Sequence, residues 1–187
     1  SALYLAFPSQ ASTEVIERIN FARQDFGRSY KDTCHALYTD VEPKLCTYGP
    51  AGLPRILLFG DSHAAQWLEP LILAAEEADW TVQSATKSGC PASSVTIWND
   101  QRRAPYLQCD EWRQAVLSLI EKDPPEIVVI ASLSNYRTFD GSKPIYGHAA
   151  ADRYAAGLAS TINRIREAGS RPVLIQDTPQ AYRSFLD

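Results

Sequence analysis

Gly60-Asp61-Ser62-His63 places a carboxylate, a hydroxyl and an imidazole on three consecutive residues. A serine becomes a useful nucleophile only with help, from donors for the developing oxyanion and from a base oriented by a third group. Ser62 is the candidate nucleophile, with capping of a helix start as its competing role. The candidate oxyanion hole combines the backbone N–H of Ser62, the backbone N–H of Gly89 in Lys87-Ser88-Gly89-Cys90, and the side-chain amide of Asn135 in Ser132-Leu133-Ser134-Asn135-Tyr136. Gly89 also reads as an ordinary turn glycine and Asn135 as an Asx-turn residue.

The base is harder to find among three histidines. His63 follows the serine directly, but its side chain should point away along the helix start, which suits a structural or substrate-contact role. His35 completes an Asp-x-x-His with Asp32, although it precedes the serine and adjoins a cysteine; chain order alone does not exclude it. His148 reads as a surface or capping residue. Asp61 reads as a first-turn carboxylate that accepts backbone N–H groups. Of the tryptophans, Trp67 and Trp112 fall on the core faces of helices, whereas Trp98 lies in a long loop and is the candidate platform for a sugar ring.

These residues need a frame, and the hydrophobic pattern supplies one. Apolar runs predict strands over 55–59, 81–86, 126–131 and 171–177. Helical spacing predicts helices over 13–25, 63–78, 110–122 and 150–168, the last stopped by Gly169. From 55 onward strand and helix alternate, which implies an α/β fold with a parallel sheet covered by helices on both faces. Ligands in such sheets sit at the carboxyl ends of the strands. The segments holding Ser62, Gly89 and Asn135 follow three successive strands.

The 187 residues suit one domain, and 45% apolar content supports a real core. Net charge is −4, with no basic run, which argues against nucleic acid or an anionic membrane surface as partner. No apolar run is long enough to span a bilayer. The sequence begins Ser-Ala and contains no methionine, which reads as a processed protein or an excised domain. Four cysteines suggest two local disulfides, Cys34–Cys46 and Cys90–Cys109, and hence an oxidising compartment. Neither a C-x-x-C nor a paired-histidine spacing is present to favour a metal instead.

"LLFGDSHAAQW", then "KSGCP", then a loop residue after "IVVIA", together resemble the SGNH hydrolase superfamily, named for Ser, Gly, Asn and His in four blocks. Gly-Asp-Ser-His-Ala, an upstream cysteine pair and a Ser-x-Cys-Pro-like loop most resemble one branch, the extracytoplasmic SGNH domain fused to bacterial acyltransferase-3 membrane proteins. The resemblance spans about residues 34–177. It implies a flavodoxin-like three-layer α/β fold, Ser62 as the acyl-accepting nucleophile, and an oxyanion hole from Ser62, Gly89 and Asn135, with Ser134 as the alternative to Asn135.

The same resemblance implies a periplasmic or cell-surface domain, tethered to the inner membrane by a fused acyltransferase-3 domain of the same polypeptide. That membrane domain would supply an acetyl group derived from acetyl-CoA, with no cofactor bound by the SGNH domain itself. The acceptor would be a hydroxyl of a cell-surface polysaccharide. On this reading residues 1–33 form an N-terminal helical extension or linker and 34–187 the SGNH-like domain. The family's fourth block, Asp-x-x-His, follows a fifth strand, and the sequence reaches Asp187 without it. That segment is therefore expected to be missing, and the base stays open. The alternatives are a carbohydrate or acetyl esterase, with water as acceptor, and a catalytically silent glycan-binding module.

Overall fold

The computed structural model describes residues 13–24 and 27–177. In chain order it begins with α1 (Thr13–Gln24), α2 (Arg28–Lys31), β1 (His35–Ala36) and β2 (Cys46–Tyr48). There follow β3 (Arg55–Gly60), α3 (Ser62–Ala65), α4 (Leu68–Glu77) and β4 (Thr81–Lys87). A small hairpin, β5 (Trp98–Asn99) with β6 (Ala104–Pro105), leads into α5 (Leu107–Lys122) and β7 (Ile127–Ala131). A second hairpin, β8 (Thr138–Phe139) with β9 (Pro144–Ile145), precedes α6 (Gly147–Glu167) and β10 (Arg171–Leu174).

The main sheet has the order β1-β4-β3-β7-β10. All neighbours along it run parallel, and β2 joins the outer edge of β4 antiparallel. β3 sits in the middle and shows why the sheet needs two covers. Its side chains alternate between faces. Leu57 and Phe59 pack with Trp112, Val116, Leu117 and Ile120 of α5 and Ile165 of α6. Leu58 packs the other way, with Ala64, Leu68, Ile72 and Ala75 of α3 and α4. The result is the expected three-layer α/β architecture around a central parallel sheet.

One predicted helix is two. The continuous pattern over 63–78 breaks at Gln66 and Trp67 into α3 and α4. Pro70 explains the break. In one long helix its missing N–H and its ring would disrupt the interior. Starting a new helix at Leu68 moves Pro70 into the first turn, where an N–H has no intrahelical partner anyway. The break also turns Trp67 outward, to 37% exposure, so it is not the core residue that its helical spacing suggested. Trp112 is fully buried, as expected. The stop at Gly169 has a clear geometry: at φ +99° its N–H meets Arg166 O, and the next N–H, from Ser170, reaches back to Ile165 O.

β1 and β2 were not foreseen, and two disulfides fix their surroundings. Cys34 pairs with Cys46 and Cys90 with Cys109, the expected connectivity. The first closes the segment joining β1 to β2. The second ties the loop after β4 to the first turn of α5. Loops of this length lose enough chain entropy for each bridge to contribute about 3 kcal/mol. Replacing both Cys90 and Cys109 by Ala should therefore lower the unfolding free energy by about 3 kcal/mol, with the denaturant m-value rising as the unfolded chain expands. Urea unfolding followed by tryptophan fluorescence checks this.

Candidate active site at the carboxyl edge of the sheet

Strand register brings the candidate residues to one place. Gly60 pairs with Thr86 on one side and with Ala131 on the other, so the three residues form a row across β4, β3 and β7. Ser62 lies two positions beyond that row, Gly89 three and Asn135 four. Gly60 is required where β3 turns into α3, because a Cβ there would overlap the Ala131 carbonyl oxygen. The tight turn sets the serine at the sheet edge.

Asp61 performs the capping that Ser62 could have performed. It is the N-cap of α3, and its Oδ1 accepts the His63 N–H at 2.8 Å. Its Oδ2 accepts the Leu133 N–H at 2.9 Å and the Tyr136 hydroxyl at 2.5 Å. The carboxylate is fully buried. Ser62, the first residue of α3, is half-buried, and among the described residues its hydroxyl has no hydrogen-bond partner. The competing cap role thus falls to its neighbour.

Asn135 sits on a loop held by two carboxylates. Asp61 holds Leu133 and Tyr136 on either side of it. Asp177, just past β10, accepts the Ser134 N–H at 2.9 Å and the Ser134 hydroxyl at 3.0 Å. Asn135 itself is exposed and lines a cavity of about 620 Å³. Gly89 and Trp98 line the same cavity, with Tyr38, Tyr106, Tyr136 and Tyr146. Ser62 is not among its lining residues; it stands at the neighbouring strand end.

Gly89 has φ +59°, and the Tyr38 hydroxyl lies 2.8 Å from where a Cβ would be. Both facts require glycine there. Tyr38 is held in place from behind by Lys87, whose buried ammonium donates to the carbonyls of Leu37, Tyr38 and Asp40. Burial pulls the Lys87 ammonium down to about 8. Lys87 therefore supports the cavity wall and is not presented to a ligand.

None of the three histidines is hydrogen-bonded to Ser62 among the described residues. His63 is engaged elsewhere, its Nδ1 donating to Asp177 Oδ1 at 2.7 Å. Burial pushes the Asp177 carboxyl up, but the hydrogen bonds from Ser134 and His63 outweigh it and hold the group below the usual carboxylate range. His35 is buried, with Nδ1 at 2.9 Å from Thr86 Oγ1 and Nε2 at 3.1 Å from Ser88 Oγ. Asp32 is turned to the Tyr48 hydroxyl instead, so Asp32 and His35 form no catalytic pair. His148 is exposed in the first turn of α6. Sequence reasoning missed Asp177 because the fourth strand was predicted to run through it, over 171–177; the strand ends at Leu174, which puts Asp177 at the rim with the others.

Two expectations follow for stability. Asp61→Ala removes three hydrogen bonds and strands a part-buried hydroxyl and two N–H groups, so it should cost about 3–4 kcal/mol in urea unfolding. Burial, with the nearby Lys87 cation, lowers the His35 pKa from 6.5 to about 4. The unfolded chain therefore takes up a proton between those values while the fold does not. His35 contributes its full stability above pH 6.5 and loses it as pH falls toward 4, about 2 kcal/mol after allowance for solvent screening. His35→Gln should flatten that part of the stability–pH curve.

A family model described as "SGNH domain (fused to AT3 domains)" matches residues 31–186. No curated protein matches the sequence. Among solved structures, the periplasmic domain of a lipopolysaccharide acetyltransferase from Salmonella ser. Paratyphi A is similar, with a TM-score of 0.54 at 18% identity. The match covers 88% of this chain and 58% of that one, so this chain spans less than two thirds of its length.

Proposed function

The chain belongs to the family of SGNH domains that are fused to AT3 domains, and on that premise we propose that it is a serine O-acyltransferase acting outside the cytoplasm on a glycan. The observation that carries this reading is the arrangement of the sheet edge. Ser62, Gly89 and Asn135 leave one row of three paired strands, and Asp61 does the capping, so that among the described residues the Ser62 hydroxyl has no hydrogen-bond partner.

In the proposed reaction Ser62 Oγ attacks an acetyl carbonyl and gives its proton to a base. The negative charge that develops on the carbonyl oxygen is met by the N–H groups of Ser62 and Gly89 and by the Asn135 amide. The donor's leaving group departs with the proton held by the base, and acetyl-Ser62 remains. A sugar hydroxyl then attacks the ester carbonyl, its proton passes to the base, and Ser62 leaves as the alkoxide and is reprotonated. The acetyl group would come from acetyl-CoA through an AT3 membrane domain in the same polypeptide. The aromatic cavity suits a sugar: Trp98 lines it and stacks on Phe139 at 5.7 Å, which fixes the indole plane. Two disulfides favour an oxidising compartment. Among the described residues no helix is long and apolar enough to cross a membrane, so tethering would come from elsewhere.

A catalytically silent glycan-binding module is the second reading. The observation that favours it is that no described histidine is bonded to Ser62. Brief exposure to p-nitrophenyl acetate separates the two. Acyl transfer predicts a single acetyl adduct by intact mass, absent in Ser62→Ala, and acylation slowed about 100-fold in Asn135→Ala. Release of the adduct by an added oligosaccharide faster than by water distinguishes a transferase from an esterase. An adduct that never forms, or one that Ser62→Ala retains, would leave the binding module.

A further inference from the structure

The cavity beside Asn135 carries one feature that acyl transfer alone does not require. Arg137 follows Asn135 by two residues and lines the cavity opposite the β5–β6 hairpin. Its guanidinium forms an ion pair with Asp100, at the hairpin's tip, and lies 5.1 Å above the Tyr146 ring. Its carbonyl oxygen accepts the Trp98 N–H at 2.9 Å, so Arg137 and the candidate sugar platform are fixed in register.

The charge balance here is opposite to that of the whole molecule. The two segments that wall this side of the cavity, 97–106 and 133–147, carry Arg102, Arg103, Arg137 and Lys143 against Asp100 and Asp140, in a chain of net charge −4. Asp140 is occupied within its own turn, by Ser142 and the Lys143 N–H. Among the described residues, Asp100 is the one carboxylate that lines the cavity. Both members of its pair with Arg137 are 47% exposed, and an exposed ion pair contributes little net stability. Exchanging one carboxylate for another on the guanidinium fork therefore costs little. The fork matches a carboxylate in a fixed plane, and the Tyr146 ring beneath keeps it oriented.

We propose that the acceptor saccharide is acidic, and that a carboxylate on its sugar ring takes the place of Asp100 on Arg137. The inference rests on the glycan-acylating reading and adds the chemical class of the acceptor. Trp98 would receive an apolar sugar face while Arg137 holds the acid. Asn135, between them and the Ser62 strand end, would stand beside the hydroxyl that is modified.

The test is calorimetric titration with a galacturonic acid tetramer and with the same tetramer as its methyl ester, in which each carboxylate becomes a neutral ester of similar shape. The acid should bind about 10-fold more tightly than the ester, and the difference should shrink in about 0.5 M NaCl. Arg137→Gln should bring the acid down to the affinity of the ester. Arg137→Lys, which keeps the charge without the fork, should keep part of the preference. Asp100→Asn should tighten acid binding several-fold, since it removes the internal competitor. Equal binding of acid and ester, binding of neither, or a preference that survives Arg137→Gln would each overturn the proposal. The p-nitrophenyl acetate reaction on the same preparation is read separately. An acyl-Ser62 without acid preference rejects only the acidic acceptor, whereas failure to acylate rejects acyl transfer itself.

Discussion

One buried carboxylate organises the site. Asp61 receives three donors from two places in the chain: the His63 N–H at the start of α3, and the Leu133 N–H and Tyr136 phenol of the loop after β7. A buried acceptor with its donors in place rigidifies its surroundings, and the same group half-satisfied would be costly. The bonds thus join two strand ends that no ladder hydrogen bond reaches. They also settle a local competition. A helix start needs a side-chain acceptor, and once Asp61 fills that need the adjacent hydroxyl is not required for the cap.

The other walls are built on the same plan, with polar groups spent on holding loops. Lys87 is buried so that three carbonyls of the 37–40 segment have a donor. Arg113 is buried so that Pro91 and Asp110 are tied to one helix, through its Nε and Nη1. Asp177 collects Ser134 and His63. Charges that a surface reading would have offered to a ligand are consumed inside. Among the described residues, what is left facing the cavity is chiefly aromatic rings, the amides of Asn99, Gln101 and Asn135, and one arginine with a replaceable partner.

Much of the frame was legible in the sequence because burial on both faces leaves a plain signature. The apolar runs at 55–59 and 126–131 could hardly be anything but central strands, and the Cys pairings followed from proximity. β1 and β2 were not legible, since strands of two and three residues carry no periodicity and exist only because β4 offers an edge. The division of α3 from α4 was legible in principle: Pro70 was visible, but the apolar spacing around it continued smoothly through the break. At the candidate site, Ser62, Gly89 and Asn135 were singled out by their positions after strands, and the register sets them beyond one row of the sheet. Asp177 and Tyr136 were not, because their roles depend on partners 43 to 114 residues away, which no local pattern encodes.

The two disulfides are unevenly placed with respect to this chemistry. Cys34–Cys46 closes the segment that contains Tyr38, and Cys90 adjoins Gly89. The β3 turn that presents Ser62 is built from strand pairing, Gly60 and Asp61, and no sulfur takes part in it. The two halves of the candidate site therefore depend on different cross-links. The wall around Gly89 has sulfur bridges besides the hydrogen bonds from Lys87. Reduction of the two bridges would loosen that wall first and leave the turn that bears the serine anchored in the sheet.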